Sequence, residues 1–100
     1  MSDNLELLII VSTSKSGDIA NELGKAALRR GATWAVFFTN DGVQALTDQE
    51  FAKTVSLASK AIACQESWQH YMPTSTCPVE LGSQTNNSKL TGKAEHIVSL

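Results

Sequence analysis

Cys64 and Cys77 are the residues of this chain best suited to nucleophilic or redox chemistry, and their contexts differ. Cys64 closes the segment Lys60-Ala61-Ile62-Ala63, whose unalternating apolar run suits a parallel strand covered on both faces. The residues after it, Gln65-Glu66-Ser67-Trp68-Gln69, favour helix until Pro73 forbids it. This places a thiol at a strand's carboxyl end and a helix's amino end. Unpaired N–H groups and the macrodipole there favour thiolate, lowering a cysteine pKa by about one to several units from roughly 8.5. The competing reading is packing, because free cysteine is among the most buried residue types.

Other side chains offer weaker chemistry. Ser12-Thr13-Ser14-Lys15-Ser16-Gly17-Asp18 is a polar loop ahead of a helix, and such loops can cradle a phosphate or a flavin. It lacks the Gly-x-x-x-x-Gly-Lys-Ser/Thr pattern of a nucleotide loop, and serines or an aspartate in this position commonly serve as caps. Cys64, His70, Cys77 and His96 could in principle bind zinc, but their spacings match no paired-ligand knuckle. His70 reads as a solvated helix residue, and Trp68 and Tyr71 as core or interface aromatics. Cys77, in a Thr-Cys-Pro loop, would resolve an oxidised Cys64 as a disulfide if that loop folds back.

Composition narrows the setting. One hundred residues with 42% apolar content make a single small domain spanning 1–100. A net charge of −2 with scattered signs gives no footprint for nucleic acid or an anionic membrane. The run Leu7–Val11 is too short to span a bilayer. Met1-Ser2-Asp3-Asn4 does not read as a basic signal start, so a cytoplasmic protein with reduced thiols is expected.

The elements that must position Cys64 follow from periodicity. Leu7-Leu8-Ile9-Ile10-Val11 suits a central strand. Ile19, Leu23, Ala26, Ala27 and Arg30 fall at helical spacing, with Gly31 as the stop and Leu28 turned outward. Trp34, Val36, Phe37 and Phe38 mark a second strand, running into the turn signal Asn40-Asp41-Gly42. Thr47-Asp48-Gln49-Glu50 fits a capping box opening a helix with Phe51, Val55 and Ala58 on its buried stripe. Lys60–Cys64 is the third strand, a further helix starts near Ser83 and closes at Thr91-Gly92, and His96-Ile97-Val98 is a fourth strand.

Strands alternating with helices predict an α/β fold: a three-layer α/β/α sandwich around a mostly parallel, flavodoxin-like sheet of four to five strands. With the order 2-1-3-4, strands one and three are neighbours, and the crevice beyond their carboxyl ends is the expected ligand site. Ser12, Thr13, Ser14, Lys15, Ser16, Asn40 and Asp41 would line a pocket shared with Cys64. Strand two would be an apolar edge in need of cover, which points to a homo-oligomer with Leu28 and the tryptophans at the contact.

Several stretches together resemble the DsrE/DsrF-like family, which includes the DsrE and TusD sulfur-relay proteins. They are the apolar first strand with its polar loop, a helix ending Arg29-Arg30-Gly31, the segment Val36-Phe37-Phe38-Thr39-Asn40-Asp41-Gly42-Val43, a strand closing on Cys64, and Cys77-Pro78-Val79-Glu80-Leu81-Gly82-Ser83 with the polar residues after it. The resemblance implies a flavodoxin-like fold, assembly as trimers or hexamers, and a cysteine at the third strand's end, matching Cys64, that accepts sulfane sulfur as a persulfide. The chain departs from the relay pattern in being shorter between Gly42 and Cys64 and in carrying Trp68 where small residues are common. The expectation is a small cytoplasmic sulfur carrier or sulfurtransferase-like protein, with sulfur donor and acceptor proteins as partners and no cofactor or metal. The other reading is a non-enzymatic module that binds a ligand or partner through the same crevice.

Overall fold

The computed structural model describes residues 4–100. Leu5–Val11 forms strand β1 and Trp34–Phe38 forms β2, all five residues of which are buried. Lys60–Cys64 forms β3, Glu80–Gly82 forms β4 and Ala94–Ser99 forms β5. The connecting helices are α1 (Gly17–Arg30), α2 (Gln49–Val55), α3 (Gln65–Tyr71) and α4 (Gln84–Lys93), with 3-10 segments at Ser14–Ser16 and Asn40–Thr47. All strand pairings are parallel, and the sheet order is β4-β3-β2-β1-β5. The fold is thus the expected three-layer α/β/α sandwich.

The strand order corrects one expectation. β2 lies between β1 and β3 rather than at an edge, so β1 and β3 are not neighbours and no crevice opens between them. The edges are β4 and β5. A short strand at Glu80–Gly82, too brief and too polar to stand out in the sequence, extends the sheet beyond β3, with Lys60 and Glu80 paired at 3.2 Å across that boundary.

Alternation along the strands separates two faces. Ile9, Val11, Trp34, Val36, Phe38 and Ala63 pack with Ala20 and Ala27 of α1, Phe51 and Val55 of α2 and Trp68 of α3. On the other face Leu8, Ala35, Phe37, Ile62 and Cys64 pack with Leu90 of α4. Three helices therefore cover one face and α4 covers the other, anchored by Leu90 as the buried residue of its ten.

Helix α1 meets the sheet through Ala20, Asn21, Gly24 and Ala27, one residue out of phase with the predicted stripe. Ile19 is left 57% exposed, while Leu28 packs against the core instead of pointing outward. Trp34 explains the shift: a Cβ on Gly24 would lie 2.7 Å from the tip of its indole, so small residues must face the ring. Both tryptophans are buried, Trp34 in the sheet and Trp68 with its Nε1 donating to the Ser75 carbonyl at 2.9 Å. Neither tryptophan is free to serve the contact between subunits expected of it, and Leu28 is partly covered by the core.

Candidate functional site

Cys64 ends β3 and occupies the N-cap position of α3 in extended backbone, φ −61° and ψ 122°, with no side-chain capping bond. Its neighbour across the sheet is Gly82, the last residue of β4. Beyond this pair the chain parts: α3 packs Trp68 against the first face, and α4 packs Leu90 against the second. Adjacent strands whose connections leave to opposite faces create a crevice at their carboxyl ends. The opposite-face divergence predicted between strands one and three thus lies between β3 and β4, with Cys64 at its head.

The Cys64 side chain points to the α4 face and is 7% exposed. Local chemistry fixes the residues around it. A Cβ on Gly82 would collide with Asn86 Oδ1 at 2.6 Å and Ile62 Cγ2 at 2.7 Å, so glycine lets α4 start hard against β3. Ser83 then caps α4, its Oγ accepting from Thr85 N at 3.2 Å while Asn86 Oδ1 accepts from Ser83 N at 2.9 Å. This reciprocal pair is a capping box that satisfies two orphan amides. On the other side of β3, Asn40 N donates to Ser67 Oγ of α3 at 2.9 Å, with Asn40 at a left-handed φ of 52° that asparagine tolerates.

One contact crosses the mouth. The pairing of Phe38 with Ala63 sets Thr39 level with Cys64, and Cys64 is in turn level with Gly82. Gln84 Nε2, two residues past Gly82, donates to Thr39 Oγ1 at 3.4 Å. Because β3 lies between those two strands, this hydrogen bond spans the carboxyl end of β3. Asn87 Nδ2 donates in turn to Gln84 Oε1 at 3.4 Å, and Asn87 Oδ1 is enclosed without a partner.

The remaining predicted residues divide. Ser12 Oγ donates to the Leu100 carbonyl at 2.7 Å, Thr13 Oγ1 accepts from Lys15 N at 3.3 Å, and Ser14 Oγ donates to Asp41 Oδ2 at 3.2 Å. Those hydroxyls are engaged in holding the loop, and the Asp41 carboxylate beside Ser14 disfavours an anion there. Ser14 and Lys15 line a cavity of about 380 Å³ with Asp18, Gln44 and Asp48. Cys64 is not in its wall. Ser16 sits at the start of α1 without a side-chain capping bond. The pocket expected to unite Ser12–Ser16 with Cys64 is divided by β2, which stands between the strands that carry them. Asn40 alone of the predicted lining is tied by a hydrogen bond to the helix that Cys64 caps.

Cys77 is not brought to Cys64. It packs, half-buried, with the cluster on the α1–α3 face, whereas Cys64 joins the cluster on the α4 face. Burial raises the Cys77 pKa above its ordinary value, outweighing a backbone hydrogen bond at Val79 that lowers it. Among the described residues no three His, Cys, Asp or Glu side chains cluster as a metal site, and no helix is long and apolar enough to cross a membrane. Sequence reasoning missed Thr39, Ser67, Gly82, Gln84 and Asn87 at the rim. Of these, Ser67 was within reach of inspection, since it lies three residues after Cys64 on the helix that Cys64 caps. Compared with protein-family models and with curated proteins, the chain matches none.

Proposed function

We propose that the chain is a sulfur carrier of the DsrE type in which Cys64 accepts sulfane sulfur as a persulfide. The observation that carries this reading is the position of Cys64 where β3 and β4 send their helices to opposite faces. A sulfur atom added to Sγ lies at the strand end, where a partner's thiol meets it once the buried side chain is uncovered. In the loading step the Cys64 thiolate attacks the outer sulfur of a donor persulfide. A bond forms between Cys64 Sγ and that sulfur, the donor's S–S bond breaks, and the donor leaves as a thiolate that takes up a proton. Unloading repeats the exchange with an acceptor thiol, so no external oxidant or reductant is consumed.

Donor and acceptor proteins are the partners on this reading, and the compartment is the cytoplasm, where thiols stay reduced. The carrier works as a trimer or hexamer. Its contacts are at the sheet edges, β4 and β5, where Leu81 is 41% and Ile97 48% exposed. A single sedimenting monomer at about tens of micromolar would remove the oligomer from the proposal.

Treatment of the folded protein with a persulfide donor, followed by peptide mass measurement, tests the carrier itself. Added sulfur is expected on the Cys64 peptide, little on the Cys77 peptide, and none at position 64 in Cys64→Ser. Sulfur appearing first on Cys77, or on Cys64 only after unfolding, would leave Cys64 as a packing residue. The fold would then serve as a binding module.

A further inference from the structure

We propose that the Gln84–Thr39 hydrogen bond is a latch over Cys64, whose release admits the sulfur donor. As regulation of the same thiol, this rests on the carrier reading. Three features carry it. First, the bond joins the start of α4 to the end of β2 across the strand that bears Cys64, in the row where Thr39, Cys64 and Gly82 are level. Second, Cys64 belongs to the cluster on the α4 face and is 7% exposed, so a donor reaches its sulfur only after a local opening, which release of this end of α4 would supply. Third, α4 is lightly held, with Leu90 as its buried residue, three residues from the end of a helix whose first turn carries the latch.

The closed arrangement also leaves a polar atom unsatisfied. Asn87 Nδ2 is engaged by Gln84, yet Asn87 Oδ1 is enclosed with no donor. An enclosed acceptor without a partner destabilises the state that encloses it. Opening wets that oxygen, so its enclosure favours release, while the Gln84 bond holds the helix shut. Thr39 suits the role because its hydroxyl caps nothing: the 3-10 segment that follows it receives no side-chain bond from Thr39.

The test is the rate at which iodoacetamide modifies Cys64 in the folded protein, read by peptide mass, with Cys77 as internal reference. Gln84→Met keeps length and removes the donor together with the acceptor for Asn87 Nδ2, and Thr39→Val removes the Thr39 acceptor alone. Each is expected to raise the Cys64 rate by about two- to threefold, the low end for one neutral hydrogen bond because this one is exposed, with Cys77 unchanged. Adding Thr39→Val to Gln84→Met is expected to change nothing further. Unchanged Cys64 rates in both variants, or a rise shared equally by Cys77, would overturn the latch. Persulfide loading separates this from the carrier itself. Faster alkylation in the variants with no sulfur uptake by any form keeps the latch and removes the carrier. Sulfur uptake on Cys64 at one rate in all forms keeps the carrier and removes the latch.

Discussion

Gly42 lies directly against the carbonyl of Val11. A Cβ at position 42 would collide with that oxygen and stand 2.6 Å from the carbonyl carbon. The same oxygen accepts from Thr39 N at 3.0 Å, so the turn after β2 is folded back onto the end of β1. The obstacle is backbone held in a sheet and cannot rotate aside. Gly42→Ala is therefore expected to destabilise the protein by about 2–3 kcal/mol, at the upper end of overpacking costs. Chemical denaturation checks it, and a midpoint equal to that of the parent would contradict the contact.

The two cysteines lie in clusters on opposite faces of the sheet, and this has a direct consequence for oxidation. Mild oxidation with diamide is expected to leave the native protein without a Cys64–Cys77 bridge, and the same treatment in denaturant to form one. Intact mass after alkylation of the remaining thiols distinguishes the two. A bridge formed rapidly in the folded protein would show that the Cys77 loop reaches the α4 face. Burial raises the Cys77 pKa above its ordinary value, so its alkylation at neutral pH is expected to be slower than that of an unstructured thiol.

Helix α2 is capped by Asp48, not Thr47. Asp48 Oδ1 accepts from Glu50 N at 2.9 Å and from Phe51 N at 3.4 Å, while Thr47 Oγ1 donates to the Gln44 carbonyl at 2.8 Å and closes the preceding 3-10 segment. Asp48→Ala is expected to cost about 1 kcal/mol. Thr47→Ala, which loses an exposed hydroxyl contact, is expected to cost less. Equal losses for the two in thermal melts would restore the threonine as the cap.

Lys25 and Glu50 tie α1 to α2 at 2.7 Å. The hydrogen bond and charge of Glu50 raise the Lys25 pKa, and the hydrogen bond from Lys25, followed by that from Asn21, lowers the Glu50 pKa. For Glu50 the contribution is present above its ordinary value of 4.5 and is lost as pH falls through its lowered folded value. For Lys25 it is present below 10.5 and is lost as pH rises through its raised folded value. Both groups are solvent-exposed, so the effect is small and screened by salt. The melting difference between the parent and Glu50→Gln is expected to be flat across neutral pH and to shrink at both extremes. A difference growing toward acid pH would reverse the assigned sign.

Most of the fold was legible because β1, β2 and β3 are buried on both faces, and burial of that kind leaves runs such as Leu7–Val11 and Val36–Phe38 with no polar interruption. The phase of α1 was not. Periodicity gives weight to large residues such as Ile19 and Leu23, whereas the face against Trp34 is built from Ala20, Gly24 and Ala27 because the indole fills the space. Strand order was hidden for a different reason. Whether β2 or β3 lies beside β1 depends on pairing across the sheet, and no single segment records it. Cys64 was visible as the end of an apolar run entering a helix. The polar rim was not, since Thr39 and Gln84 lie 45 residues apart and meet only once β4 has been laid beside β3.

The pairing of β1 with β5 matters for how the chain is made. Leu8 is in register with Ile97, and Ser12 N donates to the Leu100 carbonyl at 2.8 Å. On the ribosome, β1 can find β2 early, but its other edge stays bare until β5 has emerged. That edge belongs to the apolar run Leu7–Val11, the type of strand that recruits foreign chains when left unpaired. A nascent chain stalled after Lys93 would therefore present its stickiest backbone with no strand to cover it. Arrested or truncated products ending there are the forms of this protein that a cell's chaperones would have to hold.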